Sequence, residues 1–334
     1  MSKKVFFLGA GFSKAINQDY PLLKDLTENV NLQLEKGSVA KHYEEIAPEI
    51  KKDVEALLTY LSTDFPWKSD TTKYENQALY AAISKIISDK FIALCMQDGA
   101  NKNIFKEFAQ HVTSQENTYN FITLNYDLLL ENLLKQENVQ KFRYEDFYKY
   151  PMVSLGAREG RIRWGKSQNT DSAPAILKLH GSANWFWAGI SAGDNIYYSD
   201  GSESATAKAG LKPYIIPPVM DKNSFYNHVA IRFLWQEAEQ LLKNADEIYI
   251  IGFSFPATDT SVRFLFQSAL RESNAKIFIV NPATETELRK NYDKVFGEDN
   301  DNVIYEYTGK NKKDYKVTER FIMEKVLSSK IGEL

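Results

Sequence analysis

Apolar and polar positions change period along this chain in a way that separates strands from helices. Val5-Phe6-Phe7-Leu8 is an unbroken apolar run closed by Gly9-Ala10-Gly11, as expected of a strand buried on both faces that runs into a tight turn. A helix is expected from about Phe12, with an interruption at Asn17-Gln18-Asp19-Tyr20-Pro21. Pro21 suits the first turn of a new helix, whose apolar stripe holds Leu22, Leu23, Leu26, Val30 and Leu34. From there to about Glu116 the pattern stays helical, with amphipathic segments over Lys51–Leu61 and Tyr74–Met96. Strand runs return at Asn120–Leu124, Ala175–Leu179, Tyr214–Pro218, Glu247–Ile251 and Lys276–Val280, with a further one near Val303–Tyr307. Helical patterns at Leu128–Gln136, Val229–Lys243 and Asp259–Glu272 separate them, and a terminal helix closes the chain. This alternation predicts an α/β fold, a Rossmann-like doubly wound parallel sheet with a large helical insertion. The polar stretch Gly165–Pro174 and the Gly/Ser/Ala-rich part of 184–212, which follows the aromatic patch Trp185-Phe186-Trp187, are expected to be loop.

Composition narrows the class. The 334 residues are 43% hydrophobic and 25% charged, with a formal net charge of −3, which places the chain among globular proteins with no global pull towards nucleic acid or acidic membranes. No apolar run is long enough to cross a bilayer, and no signal-peptide core follows Lys3-Lys4. With Cys95 as the single cysteine, a cytoplasmic location is expected, and neither an intrachain disulfide nor a four-cysteine zinc site can form. No metal is expected.

In a parallel sheet, chemistry collects at the C-terminal ends of strands. The loops so placed are Gly9–Ser13, Thr123–Asp127, His180–Ser182, Gly252–Ser254 and Asn281. They offer glycines, hydroxyls, amide and carboxylate groups and one histidine, without a lysine or cysteine nucleophile. A glycine turn lets a pyrophosphate approach backbone N–H groups, and the inventory suits a ribose-rich dinucleotide and acid/base or water-directed chemistry. An ordinary dehydrogenase is a poor match. Lys14 stands where a third glycine is needed, no second strand follows within about thirty residues, and no acidic residue closes one. Each position also has a plain structural role open to it: Asn125 or Asp127 as a helix cap, His180 as a turn histidine, and Gly252, Ser254 and Asn281 as turn formers. His42, His111 and His228 lack ligand spacing, Cys95 reads as core, the Trp185–Trp187 patch as core or interface, and Lys310, Lys312 and Lys313 as a solvated loop.

Gly9-Ala10-Gly11-Phe12-Ser13, Thr123-Leu124-Asn125-Tyr126-Asp127, Leu179-His180-Gly181-Ser182, Gly252-Phe253-Ser254 and Asn281 follow, in order, the motifs of the sirtuins. The resemblance covers roughly residues 3–290. It implies an NAD-binding core over 1–21 and 117–295, a helical insertion over 22–116, and a C-terminal strand/helix extension over 296–334. It implies NAD contacts at Gly9, Ala10, Gly11, Phe12, Ser13, Thr123, Gly252, Ser254 and Asn281. Catalytic roles fall on His180, as base, and on Asn125 and Asp127 at the nicotinamide ribose. The departures are equally informative. Sirtuin deacylases carry a four-cysteine zinc module after the His-Gly pair, where this chain has Trp185-Phe186-Trp187, and an Ile-Pro-Asp-Phe-Arg-type segment where it has Asp19-Tyr20-Pro21-Leu22-Leu23. In both respects the chain resembles the zinc-less bacterial branch of antiviral (antiphage, abortive-infection) defence, which hydrolyses NAD. That implies an NAD+ hydrolase with NAD+ as substrate, a helicase-like, Argonaute-like or sensor protein as partner, homo-oligomers, and no direct nucleic-acid or membrane binding. A deacylase or ADP-ribosyltransferase, and a non-catalytic NAD- or ADP-ribose-binding subunit, remain open alternatives on sequence grounds.

Overall fold

The computed structural model describes residues 2–34, 40–95, 103–114, 119–136, 142–155, 173–188, 195–199, 211–219, 222, 225–311 and 313–328. Strand β1 (Lys4–Leu8) leads into α1 (Ala10–Ile16), followed by α2 (Leu23–Leu34), α3 (Ala40–Glu45), α4 (Pro48–Lys51), α5 (Val54–Ser62), α6 (Asp70–Cys95) and α7 (Asn103–Ser114). Next come β2 (Tyr119–Thr123), α8 (Leu129–Gln136), α9 (Tyr144–Phe147), β3 (Val153–Ser154), β4 (Ile176–Lys178), β5 (Gly181–Trp187), β6 (Tyr197–Tyr198) and β7 (Lys212–Ile215). The chain continues through α10 (Val229–Lys243), β8 (Glu247–Ile251), α11 (Thr260–Ala269), β9 (Lys276–Asn281), α12 (Glu285–Phe296), β10 (Val303–Thr308) and α13 (Lys316–Phe321), which runs on into a π-helical turn, Ile322–Leu327.

Six strands form one parallel sheet in the order β10-β9-β8-β1-β2-β4. The doubly wound α/β fold expected from the pattern is therefore present. Its apolar first strand is central because it must bury both faces. Phe6 packs on Phe108 of α7 and, within the sheet, on Phe121 and Tyr249, while Phe7 on the opposite face meets Phe266 of α11. Alternate side chains of one strand thus anchor helices on both sides of the sheet. The order in which strands are added reverses about β1: β2 and β4 lie on one side, and β8, β9 and β10 on the other. That is a topological switch point, which opens a crevice at the carboxyl ends of the strands.

A second sheet has the order β3-β6-β5-β7, and of its strands only the last falls on a run expected to be strand, Tyr214–Pro218 expected and Lys212–Ile215 observed. Gly181–Trp187 is its longest strand, Trp185 is fully buried against Tyr148, and Tyr197–Tyr198 pairs with it. Helix α1 likewise begins at Ala10, two residues before the expected Phe12. Residues 165–172 of the polar loop, residues 189–194 and 200–210 of the Gly/Ser/Ala-rich stretch, the Cys95 side chain and Lys312 lie outside the described residues. No described helix is long and apolar enough to cross a membrane.

Candidate active site at the switch point

The loops after β1 and β8 interlock through their backbones. Gly9 N–H donates to the Ile251 carbonyl (2.9 Å) and Gly11 N–H to that of Gly252 (3.0 Å). A Cβ on Gly11 would stand 2.7 Å from Gly252 Cα, and one on Gly252, which sits at φ +65°, would stand 2.4 Å from the Phe12 nitrogen. The sequence reading assigned these glycines to ligand approach. Their nearest neighbours are each other, so this turn is first a backbone-to-backbone packing device. Asn281 braces the same wall: its Nδ2 donates to the Phe253 carbonyl (3.0 Å) and its Oδ1 accepts from Ala283 N–H (3.0 Å). Phe255, at φ +49°, closes that loop in a conformation unusual for a bulky residue.

The opposite wall is built from side chains. Thr123 Oγ1 donates to the Leu8 carbonyl and accepts from Asn125 N–H, both at 3.0 Å, which ties β2 to β1 and sets the turn. Asn125 Nδ2 donates to the Gly9 carbonyl (3.0 Å) and to Ser13 Oγ (3.1 Å). Ser13 Oγ in turn donates to Asp127 Oδ2 (2.8 Å), while Asp127 Oδ1 accepts from Leu129 N–H (3.0 Å). Asp127 is 5% exposed, and burial pushes its carboxyl above the usual range against the opposing pull of Lys178. Behind it lies a fully buried ion pair, Lys178–Glu131 (2.9 Å), with Lys178 also donating to the Asp127 carbonyl and Tyr148 donating to Glu131 (3.1 Å).

His180 follows β4. Its carbonyl accepts from Ile216 N–H (2.8 Å), and Trp235 holds the preceding Leu179 carbonyl (3.2 Å). The imidazole is 5% exposed and its Nε2 has no hydrogen-bond partner among the described residues. Burial, opposed by Asp259 and assisted by Lys222, pushes it down to about 4, so the ring is neutral at physiological pH.

The two walls enclose a cavity of about 630 Å³ lined by Gly9, Ala10, Gly11, Ser13, Asn125, Asp127, His180, Gly252, Ser254 and Asn281. That size is in the range of cofactor sites. Phe12 and Thr123 stand behind it: Phe12 is core, packed on Phe105, and Thr123 holds the turn. Glu55 of α5, Lys222 and Asp259 also line the cavity, as do Tyr20, Pro21 and Tyr315. The sequence reading missed the first three. The one available signal was a glutamate beside the apolar positions Val54, Leu57 and Leu58 of an amphipathic helix. Of the other histidines, His111 is buried against the Tyr119 hydroxyl (3.0 Å), and His228 Nδ1 caps α10 by accepting from Ala230 N–H (3.2 Å). Among the described residues, no three His, Cys, Asp or Glu side chains are grouped as metal ligands.

These features define an open, doubly wound α/β protein with a cavity at its switch point that polar side chains and backbone groups enter. The SIR2-like domain family profile matches residues 119–300, more than half of the chain, and the chain belongs to that family. No curated protein matches significantly. Similar solved structures include a mutant Sir2 homologue in complex with ADP-ribose (13% identity, TM-score 0.49, 100% of this chain and 95% of that one). Others are a Sir2 homologue in complex with NAD (13%, 0.46, 96% and 90%) and Sir2 bound to acetylated peptide (12%, 0.42, 96% and 92%).

Proposed function

We propose that this protein is an NAD+ hydrolase that cleaves NAD+ to nicotinamide and ADP-ribose, acting as an effector of bacterial antiviral defence gated by a protein partner. The observation that carries the chemistry is the hydrogen-bond chain Asp127–Ser13–Asn125 beside a neutral, unpartnered His180 in one cavity. Asp127 obliges the Ser13 hydroxyl to donate to it, so Ser13 presents a lone pair to Asn125. Both amide hydrogens of Asn125 are thereby committed, to Ser13 and to the Gly9 carbonyl. Its Oδ1 is left as the acceptor for a water or a ribose hydroxyl. In this reading Asp127 is a positioning residue and Asn125 orients the nucleophile.

The glycosidic C1′–N bond breaks with its electron pair passing to the pyridinium nitrogen, so nicotinamide leaves neutral without needing an acid. Water adds to the electron-poor C1′ and its proton passes to His180 Nε2, then to solvent. A weak base suffices because water bound to a carbocation-like centre is strongly acidic. The glycine wall and Asn281 would hold the pyrophosphate and adenosine parts. Residues 1–21 and 117–295 would form the nucleotide-binding unit, with 22–116 inserted and 296–334 packed as an extension. The missing cysteine module, in whose place Trp185 and Phe186 belong to a buried strand, favours hydrolysis over deacylation.

Purified protein, alone and with candidate activators, is expected to release nicotinamide and ADP-ribose without an acyl-lysine peptide. His180→Ala and Asn125→Ala should each lower that rate by about 10²–10⁴ while the fold persists. An active parent whose His180→Ala variant is equally fast would end this mechanism, and turnover only with acylated peptide would replace it by deacylation.

A further inference from the structure

Glu55 takes no part in that mechanism, yet it lines the same cavity and is 7% exposed. It is delivered by α5, one of the helices between β1 and β2. Lining the same cavity, Lys222 and Asp259 form an ion pair at 2.9 Å, with Lys222 6% exposed. That pair compensates itself. Glu55, whose side chain is hydrogen-bonded with Thr258, has no salt bridge of its own among the described residues. His180, with its buried unpartnered Nε2, feels the same Lys222–Asp259 pair. With Glu55 ionised, the group of Glu55, Lys222 and Asp259 carries one net negative charge near a neutral imidazole. Burial raises the Glu55 carboxyl above its usual range, a penalty that a bound cation would relieve.

Resting on the NAD+ reading, we propose that Glu55 is the counter-charge for the cationic ring of an N-ribosyl pyridinium, so that the cavity selects the oxidised over the reduced dinucleotide. NAD+ bears a positive charge on its nicotinamide ring and NADH does not, while the rest of the two molecules is alike. A carboxylate within several ångströms of that ring, at the effective dielectric of a protein site, discriminates by about tenfold or more.

Affinities are measured for three probes: a carbocyclic NAD+ analogue that cannot be cleaved, NADH and ADP-ribose. The parent should bind the analogue at least about tenfold more tightly than NADH. Glu55→Gln should bring that ratio close to one with ADP-ribose affinity unchanged. Lys222→Met, which removes the compensating cation, should raise the ratio, an opposite sign that a merely structural role would not produce. The proposal is overturned if Glu55→Gln keeps the preference, or weakens all three probes alike. It is overturned alone if the parent binds ADP-ribose but shows no charge preference. If the parent binds neither ADP-ribose nor the analogue, the NAD+ reading itself falls and takes the proposal with it.

Discussion

The two walls of the cavity recognise by different physics. The wall after β1, β8 and β9 is backbone: Gly9, Gly11 and Gly252 interlock through two main-chain hydrogen bonds, and Asn281 clamps the Phe253 carbonyl. The wall after β2 and β4, completed by α5, Lys222 and Asp259, is side chain: Asp127, His180 and Glu55 all have proton affinities displaced by burial. A backbone wall selects by shape, and substitution there should fail by collision at any pH. A side-chain wall selects by charge, and substitution there should act through electrostatics and depend on pH. Under the proposed function, recognition of the constant part of a dinucleotide and chemistry on its variable end would fall to separable machinery.

The strongest test of the side-chain wall lies one layer behind it. Lys178 and Glu131 are each 1% exposed and paired at 2.9 Å. Lys178→Met leaves the Glu131 carboxylate buried without its counterion, and such uncompensated charges cost about 3–5 kcal/mol. Denaturant unfolding should show a loss of that order, with much of it recovered in the Lys178→Met/Glu131→Gln double variant. A single variant as stable as the parent would mean that this wall is not organised by charge.

Gly252→Ala tests the backbone wall, with Gly297→Ala as its control. Both glycines have positive φ, +65° and +90°, but nothing lies within 4 Å of a Cβ on Gly297, whereas one on Gly252 meets the Phe12 nitrogen at 2.4 Å. Gly297, at φ +90° and ψ 152°, lies in a region essentially reserved for glycine, so Gly297→Ala pays for the conformation alone, about 1–3 kcal/mol. Gly252→Ala adds displacement of the β1 loop to its own conformational cost and should lose more stability than Gly297→Ala, together with loss of dinucleotide binding. The difference between the two should be the same at pH 5 and pH 8. Equal losses would show that the interlock is loose.

How far the sequence reveals each wall follows from the same distinction. Glu247–Ile251 and Val229–Lys243 were readable to the residue, because an apolar run stopped by Gly252 and a helical stripe ended by Asn244-Ala245-Asp246 carry local signals. His180, Asn125 and Gly252 were readable as strand-end positions, and the structure brings them to one cavity. Of the small sheet only the run at Tyr214–Pro218 was readable, observed as Lys212–Ile215. β3 and β6 are two residues long, and all but the last residue of Gly181–Trp187 are buried, which erases the alternation that marks a half-exposed strand. Glu55 and Lys222 were not readable either, since nothing local tells an amphipathic helix which cavity its glutamate will face. The glycines were found for an incomplete reason: sequence pointed to a ligand, and the closest partner of Gly11 is Gly252.

The smallest expected effect is also the most discriminating, because it reads the state of one carboxyl. Burial raises Asp127 above the ordinary aspartate value of 3.8, outweighing Lys178 and the donors Ser13 and Leu129 N–H. The folded protein therefore holds this proton more tightly than the unfolded chain does. Between the unfolded value and the raised folded value the native state binds more protons, so this group's contribution to stability falls as pH rises and levels off above that window. Asp127→Asn cannot titrate. Subtracting its unfolding free energy from that of the parent cancels the similarly raised Glu55 and Asp146, and the difference should decline from pH 4 upward before flattening. A flat difference throughout would mean that Asp127 ionises as in water. The variant also tests the hydrogen-bond chain. An asparagine can still accept from Leu129 N–H, but it then turns Nδ2 towards Ser13, whose hydroxyl becomes the acceptor at that contact. Asn125 must then give up its bond to Ser13 or compete for the remaining lone pair, which frees its carboxamide to rotate. Nicotinamide release should therefore fall even at a pH where the variant is as stable as the parent, and a variant with parental rate would remove Asp127 from the positioning of Asn125.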